Sequence, residues 1–209
     1  MNDTLKPSIN AWFQTTAGII LMLLSVQFFT GGALAFYYVP SVDHAYTTVS
    51  YIELALSSGS WLRSLHHYGS QWLPFFVFLH LVQLHIREAY KYSKGKWLTA
   101  IVLLALVMAA GGTGYSLPWD ARAFFSTRVA EGLLAGLPLA GRMARLWLLG
   151  GTDISTITLS RFFALHVLIT PFLILGVIVA RVISQSTKPV CWPNISKNAI
   201  VAGVVFLVL

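Results

Sequence analysis

Apolar residues run along this 209-residue chain in four long blocks separated by polar breaks. The blocks cover about Ala11–Val39, Trp61–Tyr90, Trp97–Leu117 and Leu159–Ile183. Each exceeds the roughly 20 residues a helix needs to cross a bilayer. Trp12, Trp61, Trp97 and Trp119 stand at block ends, as an aromatic belt at the membrane interface requires. The pattern predicts an all-α fold, a transmembrane four-helix bundle within residues 1–198. The final eleven residues, Ala199–Leu209, are apolar but too short to span alone. They read as a docked stub or the start of a fifth helix.

Between the third and fourth blocks, Pro118–Thr158 breaks the pattern. Two amphipathic runs lie within it, AFFSTRVAEGLLAGLP and LAGRMARLWLLGG. Their Arg spacing and glycine breaks predict two short surface helices at the outer membrane face. A connection of this length is usually functional or carries structure of its own.

Composition supports the membrane reading: 56% of residues are hydrophobic, 10% are charged and the mean hydropathy is +0.72. The net charge of +7 would suit nucleic acid, but its placement argues against such a partner. Lys6, Arg87, Lys91, Lys94, Lys96, Arg181, Lys188 and Lys197, against Asp3 and Glu88, give one side of the bundle +6. Arg63, Arg122, Arg128, Arg142, Arg145 and Arg161, against Asp43, Glu53, Asp120, Glu131 and Asp153, give the other +1. The positive-inside bias puts the N-terminus in the cytoplasm of a bacterial inner membrane or its equivalent. The polar start MNDTLKPSIN leads into a segment too long for a cleavable signal. The single cysteine, Cys191, allows neither an internal disulfide nor a Cys-cluster metal site, and no CxxCH motif offers covalent heme attachment.

Histidines carry the candidate chemistry. His66 and His80 lie fourteen residues apart in WLRSLHHYGSQWLPFFVFLH. At the helical period they share a face, about 21 Å apart along the axis. That layout suits two stacked cofactors near opposite sides of the bilayer. Neutral imidazole is an axial ligand for heme iron, and histidine inside a membrane tends to be functional. His166 in the fourth block falls at the depth of His66, so the two can form a bis-histidine pair. His67 and His85, eighteen residues apart, also share a face and read more simply as interface residues.

These residues resemble the cytochrome b family, in its N-terminal heme-bearing half and nearest the cytochrome b6 type. The likeness rests on WLRSLHHY with His80 fourteen residues later, TGYSLPWD at Thr113–Asp120, TLSRFFALH at Thr158–His166 followed by Pro171, and FYYVPSVDHAYTTVSYI at Phe36–Ile52, matching the loop after the first helix. It implies heme b ligated by His66 and His166 on the outer, low-potential side, and by His80 on the inner, high-potential side. It implies that Arg63 and Arg161 neutralise outer-heme propionates, and that Gly31 and Gly114 let the porphyrin lie against backbone. Pro118–Thr158 would roof a quinol-oxidising pocket.

The inner side departs from that pattern. The family's second inner ligand falls at Ala180 or Arg181, neither of which can replace an imidazole. The inner glycine positions hold Ala17 and Ala100, whose methyls would press on a ring. Pro74, between the two histidines, removes a helical hydrogen bond and predicts a kink. Three readings stay open: an inner heme on His80 with its other ligand from water, a partner or another histidine; loss of that heme; or a different register using His67 and His85. Thr15 aligns with the attachment cysteine of the extra heme of cytochrome b6, so no covalent heme is expected. The Pro-Glu-Trp quinol-site element of the family's C-terminal half is absent from this sequence.

The chain is therefore expected to be an electron-transfer subunit of a quinol-oxidising Rieske/cytochrome b-type complex. Its partners would be quinone, a companion membrane subunit carrying the C-terminal half, a Rieske iron–sulfur protein or other periplasmic redox subunit, and a second copy of the complex. The alternative is a heme-bearing wiring or anchor subunit of another quinone-linked redox complex, without bifurcation.

Overall fold

A computed structural model of the chain describes residues 6–185. Cys191, Lys188, Lys197 and the Ala199–Leu209 stub lie outside the described residues. Those that are described are all-helical. The long helices are α1 (Lys6–Ala35), α3 (Gly59–Ile86) and α5 (Lys94–Ser116), with the single turn α4 (Ala89–Tyr92) between the last two. The fourth block is helical from α8 (Thr156–Phe163) through a π-helical turn at Ala164–Ile169 into α9 (Thr170–Gln185).

Among the described residues, three segments are long and apolar enough to cross a membrane: Gln14–Ala35, Lys94–Ser116 and Thr156–Ser184. The expected second span, α3, has 28 residues, ample length, but falls outside that set. Arg63, His66, His67, Gln71, His80, Gln83 and His85 all lie within it and lower its hydropathy. Polar side chains cost hydropathy wherever a helix serves chemistry rather than lipid. Pro74 lies inside α3 without interrupting it. Large apolar side chains point outward, with Phe29 81% and Phe172 67% exposed, as lipid-facing positions do.

The chain divides into two compact units. The first takes Met1–Thr30, Ser64–Met108 and Phe172–Leu209. Its core packs Ile19, Ile20, Leu23 and Leu24 of α1 with Leu73, Phe76 and Val77 of α3, Val107 of α5 and Ile174 of α9. The spacing of the α1 and α3 residues is that of a single helical face. A smaller cluster joins Leu84, Ala89 and Ala100.

The second unit takes Gly31–Arg63 and Ala109–Pro171. Here the segment after α1 is not a plain loop, as FYYVPSVDHAYTTVSYI was expected to be: it contains α2 (Ala45–Leu54). Pro40 accepts a hydrogen bond from the Ser160 hydroxyl at 3.1 Å, and Tyr38 stacks on Phe163 at 5.5 Å. The Tyr38 hydroxyl donates to the Leu117 carbonyl at 2.7 Å. Burial pushes that phenol above the ordinary tyrosine range.

Both helices expected in the long connection are present, as α6 (Ala121–Ala135) and α7 (Gly141–Leu149). Asp120 caps α6, its carboxylate accepting from the Ala123 amide at 2.8 Å. Glu131 of α6 is buried and accepts from Arg145 Nε and Nη2 of α7 at 2.8 and 2.5 Å, and from Arg128 at 3.2 Å. A forked guanidinium on a buried carboxylate fixes the pair's orientation as well as its distance. Helix α7 ends at Gly150, where φ is +78°. The fully buried Thr158 then ties the start of α8 to the end of α7: its hydroxyl donates to the Leu149 carbonyl at 2.7 Å and accepts from the Ser155 amide at 3.0 Å.

Candidate functional site

Three histidines were expected to bind iron, and each has its Nδ1 at a hydrogen-bonding partner. In the first unit, His66 Nδ1 lies 2.9 Å from Thr30 Oγ1. The Thr30 hydroxyl has one proton, which the Val26 carbonyl, 2.6 Å away, receives. With its proton on that carbonyl, the Thr30 oxygen is free to accept from Nδ1 of the imidazole.

The same logic holds at His80. Its Nδ1 lies 3.4 Å from Thr16 Oγ1, while the Thr16 hydroxyl donates to Gln83 Oε1 at 2.7 Å. Thr16 and Gln83 are each 2% exposed. In the second unit, His166 Nδ1 stands 2.9 Å from the Ala110 carbonyl, which can only accept. In all three rings Nδ1 sits against an oxygen, a geometry that suits a histidine presenting Nε2 to a metal while its other nitrogen is anchored.

His166 lies in the π-helical turn, which the sequence reading missed. Such turns often occur at functional sites, because the extra residue re-aims a side chain. Its imidazole packs against Gly114 of α5. A Cβ built there would overlap His166 Cε1 and fall 2.8 Å from Nδ1 and 3.2 Å from Nε2. At Gly114, where the resemblance implies room for a porphyrin, the missing side chain leaves space for the His166 ring.

The two arginines have protein partners. Arg63 pairs with Glu53 of α2 at 2.6 Å, with both side chains well exposed. Arg161 donates to the Trp147 carbonyl and lies against Gly150. Gly31 is half-buried on α1. Of the altered inner positions, Ala17 is half-buried, Ala100 is buried beside Leu84 and Ala89, and Ala180 is exposed. Arg181 Nη1 approaches Gly95, 3.6 Å from where a Cβ would stand, and donates to Ser184 at 3.3 Å.

His67 and His85 are exposed. His67 meets Gln71 at 2.9 Å, and His85 stacks on Tyr90 at 5.2 Å. His85 also lines an apolar cavity of about 230 Å³ with Phe78, Leu81, Val82 and Trp97.

Among the described residues no group of three or more His, Cys, Asp or Glu forms a cage for a bare metal ion. A heme needs no such cage: four iron positions are filled by the porphyrin, and the protein has only to offer axial imidazoles. The donor set therefore fits heme, with imidazoles anchored at Nδ1 and a glycine at His166. Gln83 and Thr16, the partners around His80, were not read from the sequence, although Thr16 and Thr30 repeat the fourteen-residue spacing of the histidines.

The cytochrome b/b6/petB family model matches residues 1–186. Cytochrome b6 of Prochlorococcus marinus (strain NATL1A) is 34% identical over 169 residues, which cover 80% of this chain and 77% of that protein. Cytochrome b6 of strain MIT 9211 is 34% identical over 167 residues, covering 79% and 76%. A solved chain from a hyperthermophilic respiratory Complex III superposes with a TM-score of 0.76 at 21% identity, covering 93% of this chain. This chain spans only 56% of that one, and the likeness is one of fold. Matched from residue 1 to residue 186, the chain belongs to the cytochrome b/b6 family of membrane proteins that carry b-type heme in electron transport.

Proposed function

We propose that this chain is the electron-conducting subunit of a quinol-oxidising Rieske/cytochrome b-type complex, with its N-terminus in the cytoplasm. The observation that carries this reading is the family match across residues 1–186, which takes in His66, His80 and His166. Heme b, when bound, supplies a one-electron carrier whose axial positions are closed to substrate. The chain's residues hold it and set its environment. His66 and His166 would hold the outer heme through Nε2. His80 would hold the inner heme, and any second inner ligand would have to come from elsewhere than Ala180 or Arg181, which offer no suitable donor. Arg63 and Arg161 lie near the outer ligands in sequence and compensate propionate charge, and Gly31 leaves room for the ring edge. The partners are quinone, a companion subunit carrying the C-terminal half of cytochrome b, a Rieske or other periplasmic redox protein, and a second copy of the complex.

One feature supports a second reading. Ala17, Ala100, Ala180 and Arg181 change the inner side together, which suits a wiring or anchor subunit that serves a different periplasmic redox module without bifurcation. A co-purifying chain with a Pro-Glu-Trp loop and a Rieske protein would support the first reading; multiheme partners would support the second.

Heme stoichiometry by pyridine hemochrome, with low-temperature EPR on the same sample, tests the ligand assignment. Two hemes per chain, one low-spin bis-histidine and one of unusual ligation, are expected. A single low-spin heme would remove the inner heme. Two ordinary bis-histidine hemes would overturn the assignment on the fourth helix.

A further inference from the structure

Thr16 and Thr30 are fourteen residues apart on α1, and His66 and His80 are fourteen residues apart on α3. The helices meet so that Thr30 faces His66 and Thr16 faces His80. We propose that Thr30 and Thr16 are positioning residues, one at each level, that lock His66 and His80 into presenting Nε2 to iron. The inference rests on the proposed reading of both histidines as heme ligands.

The argument begins with the hydroxyl proton. A threonine hydroxyl can donate once. Thr30 donates to Val26 four residues back, and Thr16 donates to Gln83. Each oxygen can then accept from its imidazole, and a ring that presents Nε2 to iron carries its proton on Nδ1, facing that oxygen. Both threonines are buried, at 5% and 2% exposure, so bulk water does not replace them as the acceptor.

An Nδ1–H bonded to an acceptor makes the imidazole a stronger donor to iron and favours the oxidised state. The levels differ in strength. The outer contact, at 2.9 Å, is a full hydrogen bond, whereas the inner one, at 3.4 Å, is at the weak limit. His66 is therefore the more firmly anchored ring of the two. Gln83 tunes the inner level: it orients the Thr16 hydroxyl and leaves its own buried Nε2 without a hydrogen-bond acceptor. The doubled Thr–His arrangement also shows that the inner level keeps its ligand-orienting partner despite Ala17 and Ala100.

The test uses Thr30→Val and Thr16→Val, which keep shape and remove the hydroxyl, with Thr→Ser at each site, in the full-length chain purified with its native complex. Redox titration and low-temperature EPR are read on the heme-loaded protein. Thr30→Val should raise the midpoint of the outer heme alone and move its low-spin g values. Thr16→Val should do the same, by less, to the inner heme, and each serine should restore the wild-type signal. Unmoved potentials and spectra in heme-loaded valine variants would overturn the inference while leaving the proposed function standing. If the valine variants do not assemble, pulsed EPR of wild-type protein carrying 15N-histidine decides. A hydrogen-bonded proton on the remote nitrogen of the His66 ligand supports the inference, and its absence overturns it. A wild-type chain with only an outer heme would overturn the Thr16 half together with the inner-heme reading. A chain with no heme would overturn both.

Discussion

Gly114 of α5 gives up its side chain to the imidazole of His166, which takes the space a Cβ would fill. Gly114→Ala should push that ring off its hydrogen bond to the Ala110 carbonyl, at a cost of about 1–3 kcal/mol for overpacking. Nearby Gly112 provides the control, because a Cβ there meets nothing within 4 Å. Gly112→Ala should be neutral or slightly stabilising, since alanine is the better helix former. Thermal denaturation and heme content of the two variants, side by side, check the contrast. Equal behaviour would mean that the His166 ring has room to retreat.

Glu131 makes the connection between α5 and α8 sensitive to acid. Burial alone would raise its carboxyl, but the hydrogen bonds and charges of Arg145 and Arg128 outweigh it and hold the group below the usual range. A carboxyl whose folded value is depressed contributes stability above its unfolded value, near 4.5, and loses it as pH falls through the folded value. Hydrogen exchange of the α6 and α7 amides should therefore be flat from pH 7 to 5 once the intrinsic rate is corrected, and should lose protection at lower pH. Glu131→Gln should remove the pH dependence and cost about 1–3 kcal/mol at neutral pH, because Arg145 loses its buried counter-ion. A wild-type profile that stays flat into strong acid would refute the assignment.

Gly150 closes α7 with φ at +78°, and a Cβ there would overlap the Ile157 side chain and crowd Arg161 Nε at 3.1 Å. Gly150→Ala should cost about 1–2 kcal/mol for the left-handed backbone alone, before any clash. The loss should show as faster limited proteolysis between α7 and α8. A variant cut no faster than wild type would mean that the turn relaxes freely.

The sequence was most informative where its period matched the structure. The spacing of His66 and His80 registers at 3.6 residues per turn, the four apolar blocks were legible by their length, and the two helices of the connection by the glycines that bound them. Helix α2 was hidden because AYTTVSYIEL mixes β-branched and polar residues that favour no single element. The π-helical turn at His166 was invisible because an added residue leaves no mark on composition. The span at α3 was legible by length while failing on hydropathy, for the same polar side chains that make it interesting. Thr16 and Thr30 were readable in principle. Helix-internal threonine commonly bonds its own backbone, and only the structure shows which of them turns to a histidine instead.

Fourteen residues is two heptads, and the shared Thr–His register makes α1 and α3 behave like a two-toothed ratchet. Deleting or inserting one residue between Thr16 and Thr30 would turn one tooth about 100° away from its histidine while the other stayed engaged. Seven-residue changes would preserve the facing and alter only the rise, by about 10 Å. The separation of the two levels is thus quantised: a helix pair of this kind can lengthen or shorten only in the steps of three, four or seven residues that keep both levels on one face.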